Sequence, residues 1–247
     1  MEPAEYDYMF QLEDSLWWYV GMRRIVAALI RRYLPANRRR LQVLDAGAGT
    51  GGSLGLLRPF GQVTAFDFSP RATELYARRE RGRVAVASVE AIPFADASFD
   101  LVTSFEVVCQ VPPPKDETAL AEMLRVLKPG GGLVLRVPAF QWLYGPHDVA
   151  VHTKHRYSAR EVSAKLEKAG FRLAGLTYAN ALLFPLAVAR RALARLWRSD
   201  AVPESDVRPM AAPLNRALAA VLSAEALLLS RVRLPFGLSI VAVARKP

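Results

Sequence analysis

One cysteine, Cys109, stands in 247 residues. An intramolecular disulfide framework is therefore excluded, and a reducing compartment fits. Lysine is scarce, six of 33 basic residues, so arginine carries most of the net charge of +10. No uninterrupted apolar run reaches the roughly 18 residues of a membrane span. Met1 to Asp14 is acidic and interrupted, so no secretory signal is visible, and a cytoplasmic location is expected. A P-loop Lys-Ser/Thr is missing, as is the G-x-G-x-x-G spacing of dinucleotide folds. No internal repeat is present.

What is there begins with an apolar content of 52%, which excludes a disordered chain. The length suits one large α/β domain with a sizeable core. The organising stretch is L-Q-V-L-D-A-G-A-G-T-G-G, residues 41–52. Its nearly continuous apolar run predicts a parallel strand covered on both faces. Gly47, Gly49 and Gly51 then alternate, which lets backbone approach a ligand closely. Residues 53–58 read as a helix start, so strand, turn and helix form a nucleotide-sized edge. The loop has no basic residue before Arg58, which disfavours a pyrophosphate. A tight turn without ligand is the alternative.

The next unit narrows the choice. Residues 62–68 read as a second strand ending in Asp67, an acid placed to accept hydrogen bonds from a ribose diol. Ser69-Pro70 then caps a helix. In order come L-D-A-G-A-G-T-G, F-D-F-S, A-I-P-F-A-D-A-S-F-D and V-L-K-P-G-G, within residues 41–138. This set resembles class I S-adenosylmethionine-dependent methyltransferases of the type 11 group. The resemblance implies a doubly wound, seven-stranded, mostly parallel α/β sheet that binds S-adenosylmethionine. Strands are expected at 83–87, 99–104, 132–138 and 171–178, with an antiparallel seventh at 238–245. Helices are expected at 116–127 and 158–169, the latter opened by a Ser158–Glu161 capping box. The expected organisation is an N-terminal helical cap over 1–40, a core over 41–178 and 238–247, and a helical insertion over 179–237. The plain fold needs only a short hairpin where that insertion stands.

The resemblance also implies roles. Asp45 would orient the glycine loop or meet the cofactor's amino group, and Gly47, Gly49 and Gly51 would lie beneath the methionine and ribose. Phe68 would cover an adenine face, Ser88, Val89 and Glu90 would meet the adenine edge, and Phe105 would offer a backbone carbonyl. Relatives often carry an acid at the place of Ser88, so that contact is expected to weaken or pass to backbone. Trp18 and Tyr19 belong to a W-W-Y…R-R segment whose helix, spanning 21–33, would cover the cofactor or pack on the sheet edge.

Methyl transfer to an alkyl hydroxyl or amine needs a base. Where relatives carry E-H after the fourth strand, this chain has Cys109-Gln110. Val108 rather than Pro precedes Cys109, so a buried structural cysteine is expected there. All three histidines fall in the loop after the fifth strand, with Trp142, Tyr144, Asp148 and Tyr157. His147 is the first candidate base or orienter, with His152 and His155 behind it; capping and loop hydrogen bonds are the alternative. Trp18, Tyr19, Trp142, Tyr144 and Tyr157 are candidate substrate contacts, and no metal is expected.

Basic pairs such as Arg23-Arg24, Arg31-Arg32, Arg38 to Arg40, Arg78-Arg79 and Arg190-Arg191 are scattered over helices, as on solvated faces. Nucleic acid is thus disfavoured against an acidic membrane surface or lipid-like substrate. In the insertion, residues 181–198 set arginines beside an apolar face ending in Trp197, and residues 214–231 form a strongly apolar helix. The pair is expected to overhang the ligand pocket; an interfacial hairpin, a homodimer face and core packing are the other readings. The expected function is methylation of a small or lipophilic molecule, such as a bacterial secondary metabolite, isoprenoid or lipid-linked glycan. The rivals are an RNA methyltransferase and an inactive cofactor-binding partner of another enzyme.

Overall fold

In the computed structural model, residues 3–34, 40–80, 84–196 and 208–247 are described. Helices α1 (Pro3–Leu12) and α2 (Trp17–Tyr33) precede β1 (Leu41–Ala46), the single turn α3 (Leu54–Leu57), β2 (Gly61–Asp67), α4 (Pro70–Arg79) and β3 (Val84–Val86). Then come β4 (Phe99–Phe105), α5 (Lys115–Val126), β5 (Leu127–Pro138), the short α6 (Pro146–Ala150), α7 (Ala159–Lys168) and β6 (Arg172–Ala179). The insertion forms α8 (Phe184–Leu196) and α9 (Ala212–Leu229), and β7 (Ser239–Arg245) follows.

The strands form one sheet in the order β3-β2-β1-β4-β5-β7-β6. The first five are parallel, and β7 runs antiparallel to both β5 and β6. Strand order reverses between β1 and β4, so a crevice opens there at the strands' carboxyl ends. Side chains alternate across the sheet. Leu44, Val102, Leu133 and Ala242 pack with α5 and α7 on one face. Val43, Leu101, Val134 and Val243 pack with α2, α3 and α9 on the other. The central parallel strands are thus covered twice, as their apolar runs require, while the edge strand β3 leaves Val86 exposed.

Local signals set several boundaries. Ser69 Oγ accepts from Ala72 N at 3.3 Å and Pro70 opens α4. Ser158 Oγ accepts from Glu161 N at 3.1 Å. The reciprocal half of the expected capping box goes elsewhere, because the Glu161 carboxylate meets His155 Nε2 at 2.8 Å. Strand β5 begins at Leu127, five residues before the expected start, because Leu127 pairs with Phe99 ahead of an irregularity at Leu101. Arg38, Arg39, Arg83, Trp197, Arg198 and residues 199–207 lie outside the described residues.

Two helices depart from expectation. Helix α2 starts at Trp17, four residues before the expected start. Its N-cap, Leu16, offers no side-chain acceptor. Asn215 of α9 does so instead: its Oδ1 accepts from Trp17 N at 2.8 Å, and its Nδ2 donates to Ser15 O at 2.9 Å. Helix α9 was expected to overhang the pocket, yet it lies along α2. The two cross so closely that a Cβ on Gly21 would stand 2.4 Å from Leu222 Cβ. Leu222, Ala226 and Leu229 join the core there. Buried Glu225 accepts from Ala181 N at 2.9 Å and Leu182 N at 3.0 Å. Among the described residues α9 alone is long and apolar enough to cross a membrane, by length and composition.

Candidate active site

The turn after β1 needs glycine at three places: Gly47, Gly49 and Gly51 have φ of 80°, 56° and 91°, where a side chain is strained. Two are also crowded. A Cβ on Gly47 would stand 2.3 Å from Val107 Cγ2, and one on Gly49 would stand 2.8 Å from Met9 Cε. Gly47 N and Ala48 N donate to Phe66 O at 2.9 and 3.0 Å, so the loop is pinned to the end of β2.

Asp45 sits beneath this loop, fully buried. Its carboxylate accepts from Thr103 Oγ1 at 2.9 Å and from Ser53 Oγ. Burial pushes its carboxyl up to about 6 despite those two donors. Asp45 does not line the cavity; its carboxylate is turned to Ser53 and Thr103. Gly51 is likewise absent from the cavity wall and faces Tyr76 and Arg79.

Asp67 lies at the rim of the loop. Its Oδ2 accepts from Gly49 N at 2.8 Å and its Oδ1 from Ser69 N at 2.9 Å. Each carboxylate oxygen carries a second lone pair that a ribose hydroxyl can use. Burial raises its carboxyl, and the nearby Tyr6 phenol is pushed up to about 12 by its own burial and then by the Asp67 charge. Phe68 beside it is 79% exposed, ready to cover a flat ring. Ser88 Oγ is occupied in its own turn, accepting from Glu90 N at 3.1 Å, while Val89 and Glu90 line the wall.

The N-terminal segment supplies residues that the spacing did not single out. Met9 stands on Gly49, and Glu5, Tyr6 and Met9 of α1 join Trp17, Trp18 and Tyr19 of α2 along the wall. Glu13, buried between the two helices, accepts from Thr50 Oγ1 at 2.5 Å and meets Arg79 at 3.1 Å. Burial raises its carboxyl too. An acid in an exposed-looking turn gives no sequence signal for this contact.

The resulting cavity has a volume of about 1530 Å³. It runs from Asp67 and Ser88, past Phe105, Glu106 and Arg136, to the loop after β5 and one face of α8. That loop is held by a buried ion pair. Arg156 Nε donates to Asp148 Oδ1 at 2.8 Å and its NH1 to Ala139 O at 3.0 Å, while Gly145 N donates to Asp148 Oδ2 at 2.9 Å. The two ends of the loop are thus tied to each other.

The loop's candidates divide. His147, His152 and Tyr144 line the cavity. His155 does not: it is tied to Glu161 and stands edge-on to the Tyr157 ring at 4.6 Å. Tyr157 is a core residue, 2% exposed, whose hydroxyl donates to Asp116 at 3.0 Å. Trp142 packs with Phe140 and Phe184 outside the cavity wall and anchors α8. Cys109 is buried, and burial raises its thiol far above the usual range, so it is not poised as a nucleophile. Among the described residues no group of three or more His, Cys, Asp or Glu side chains is placed to hold a metal ion.

Residues 44–135 match a family model described as a methyltransferase domain. Over that stretch the chain is similar to a methyltransferase domain. The chain is 42% identical over 128 residues to a demethylmenaquinone methyltransferase of Clavibacter sepedonicus, covering 49% of this chain and 47% of the relative. It is 44% identical over 114 residues to a malonyl-[acyl-carrier protein] O-methyltransferase of Enterobacter lignolyticus, covering 45% and 43%. These matches span less than half of each curated relative. Among solved structures, a putative methyltransferase of Haloferax volcanii in complex with the activator Trm112 aligns with a TM-score of 0.62 at 21% identity. That alignment covers 99% of this chain and 94% of the other, and it places the methyltransferase domain and its additions in one shared fold.

Proposed function

We propose that this chain transfers a methyl group from S-adenosylmethionine to a small, lipophilic acceptor. The observation that carries the reading is the two-part cavity. One end, at Asp67, Phe68 and the glycine loop, suits a nucleoside. The remainder, between Trp18, Phe105, Val111, Leu238 and α8, mixes apolar wall with polar groups such as Glu106, Arg136, His147 and His152, and leaves room for a second molecule. At about 1530 Å³ the cavity exceeds the roughly 300–1,000 Å³ of an ordinary single-ligand site. When bound, the cofactor supplies an electrophilic methyl group on a positively charged sulfur. The chain's part is to align the acceptor and exclude water, with α1 and α2 as the cover. His147 and His152 stand at the acceptor end and can hold its polar groups.

Curated relatives support the acceptor class: their names specify demethylmenaquinone, a phytyl hydroquinone and a malonyl thioester carrier. Exposed Leu186 and Leu193 share a face of α8, and Leu214 and Leu227 are exposed on α9. We place this side against an anionic membrane surface from which a greasy acceptor enters. Calorimetry should give saturable binding of S-adenosylmethionine. Methyl transfer should then improve along a lipophilic acceptor series, by up to about 0.8 kcal/mol per buried methylene. Flotation with anionic liposomes should carry the protein up at low salt. Equal turnover of small polar acceptors with no flotation would sink the lipophilic reading; absent cofactor binding would sink the whole.

A further inference from the structure

At the junction of the two parts of the cavity stands an ion pair that the methyltransferase reading leaves unused. Arg136 of β5 is 8% exposed and lines the wall. Its guanidinium lies over the Trp18 ring at 4.9 Å and the Phe105 ring at 5.2 Å. Its Nε donates to Glu106 Oε1 at 3.0 Å. Among the described residues its two terminal nitrogens have no hydrogen-bond partner, although a guanidinium presents five donors. Glu106 also lines the wall, and its Oε2 has no hydrogen-bond partner among the described residues. Its backbone is held at φ 60°, unusual for a residue with a side chain, by Glu106 N donating to Arg136 O at 2.9 Å. Strain of this kind persists where surrounding structure imposes it, often at functional sites. The next residue, Val107, is the one packed against Gly47. Glu106 therefore sits one residue from the glycine loop and beside the acceptor space.

Resting on the methyltransferase reading, we propose that Arg136 and Glu106 together ionise the acceptor, a molecule bearing a weakly acidic hydroxyl on a flat conjugated ring. The two terminal nitrogens of Arg136 receive the acceptor oxygen, and Trp18 and Phe105 flank the guanidinium that receives it. The acceptor's O–H bond breaks and an O–H bond forms on Glu106. The negative charge passes from Glu106 to the acceptor oxygen, and Arg136 touches both carriers. Net charge in the buried site is unchanged throughout, so the transfer avoids the cost of creating an unpaired charge away from water. A neutral, unconjugated alcohol would gain little here, because its anion is too basic for one guanidinium to hold.

The test uses the full chain loaded with S-adenosylhomocysteine and 4-nitrophenol as the probe, since phenol and phenolate differ in visible absorbance. Wild type should bind the dye as phenolate at a pH where the free dye is mixed. Arg136→Gln should bind the phenolate at least about tenfold more weakly, and Arg136→Lys, which keeps the charge but loses the fork, should fall between. Glu106→Gln should bind the phenolate more tightly than wild type, because a competing negative charge has gone. The same variant should lose roughly 10²-fold or more in turnover of a hydroxylated acceptor while its melting temperature and cofactor affinity hold. Arg136→Gln or Arg136→Lys binding phenolate as tightly as wild type overturns the proposal, as does Glu106→Gln with undiminished turnover. Equal losses from His147→Ala with none from Glu106→Gln would return the proton to the histidine loop. A wild type that binds phenolate as described but methylates nothing would instead remove the methyltransferase reading.

Discussion

Arg156 and Asp148, 5% and 1% exposed at their side chains, form a 2.8 Å ion pair inside the loop after β5. Both remaining arms of the pair end on backbone, at Ala139 O and Gly145 N. Removing one partner leaves a buried charge without compensation. Asp148→Ala should therefore cost about 3–5 kcal/mol in stability, measured by urea unfolding. Losses below about 1 kcal/mol would mean that water reaches the pair.

Asp67 serves two ends at once, since it holds Gly49 N and Ser69 N and faces the nucleoside end of the cavity. Asp67→Ala should weaken S-adenosylmethionine by tenfold or more, from unpaired polar groups costing about 1–3 kcal/mol. Titration calorimetry decides. Unchanged affinity would take Asp67 out of the site.

Asp45 gives stability a pH dependence of unusual sign. Burial holds its carboxyl at about 6 in the folded chain, against about 3.9 when unfolded. The folded state therefore takes up this proton first. The contribution is fully present below about pH 4 and is lost as pH rises through about 6. Glu13, Asp67 and Glu225 are raised by burial in the same sense. Asp45→Asn should flatten part of the decline between pH 4 and 6 in urea melts; parallel curves for variant and wild type would contradict this.

The three histidines should separate. His155 bridges to Glu161 and lies off the cavity wall, so His155→Ala should lower the melting temperature and spare turnover. His147 and His152 line the wall, so their alanine variants should raise the acceptor's KM with little change in melting temperature. A turnover loss from His155→Ala without loss of stability would reverse the assignment.

These outcomes show which physics a sequence exposes. The glycine turn and the Ser69 and Ser158 caps were legible because each is settled within a few residues by backbone geometry. Tyr157 misled, since an aromatic in a polar loop reads as a ligand contact until its hydroxyl is seen on Asp116. Glu13 and Arg136 were missed for the opposite reason. An acid in a turn and an arginine in a strand look ordinary until tertiary contacts bring them to Thr50 and Glu106. Helix α9 read as a cover for the pocket because its apolar surface has no direction in one dimension. Gly21 supplied the direction, by letting Leu222 come down onto α2.

The bond from Trp17 N to Asn215 Oδ1 joins residues 198 positions apart and starts the helix that carries Trp18 and Tyr19 into the cavity. A helix that borrows its cap from another segment has no independent beginning. Trimming the chain to the minimal sheet and its connecting helices would therefore not leave a smaller intact fold. It would fray the first turn of α2 and loosen the wall on which Arg136 rests against Trp18. Helices α2 and α9 should therefore open together, and would have to be transplanted to another sheet as a pair.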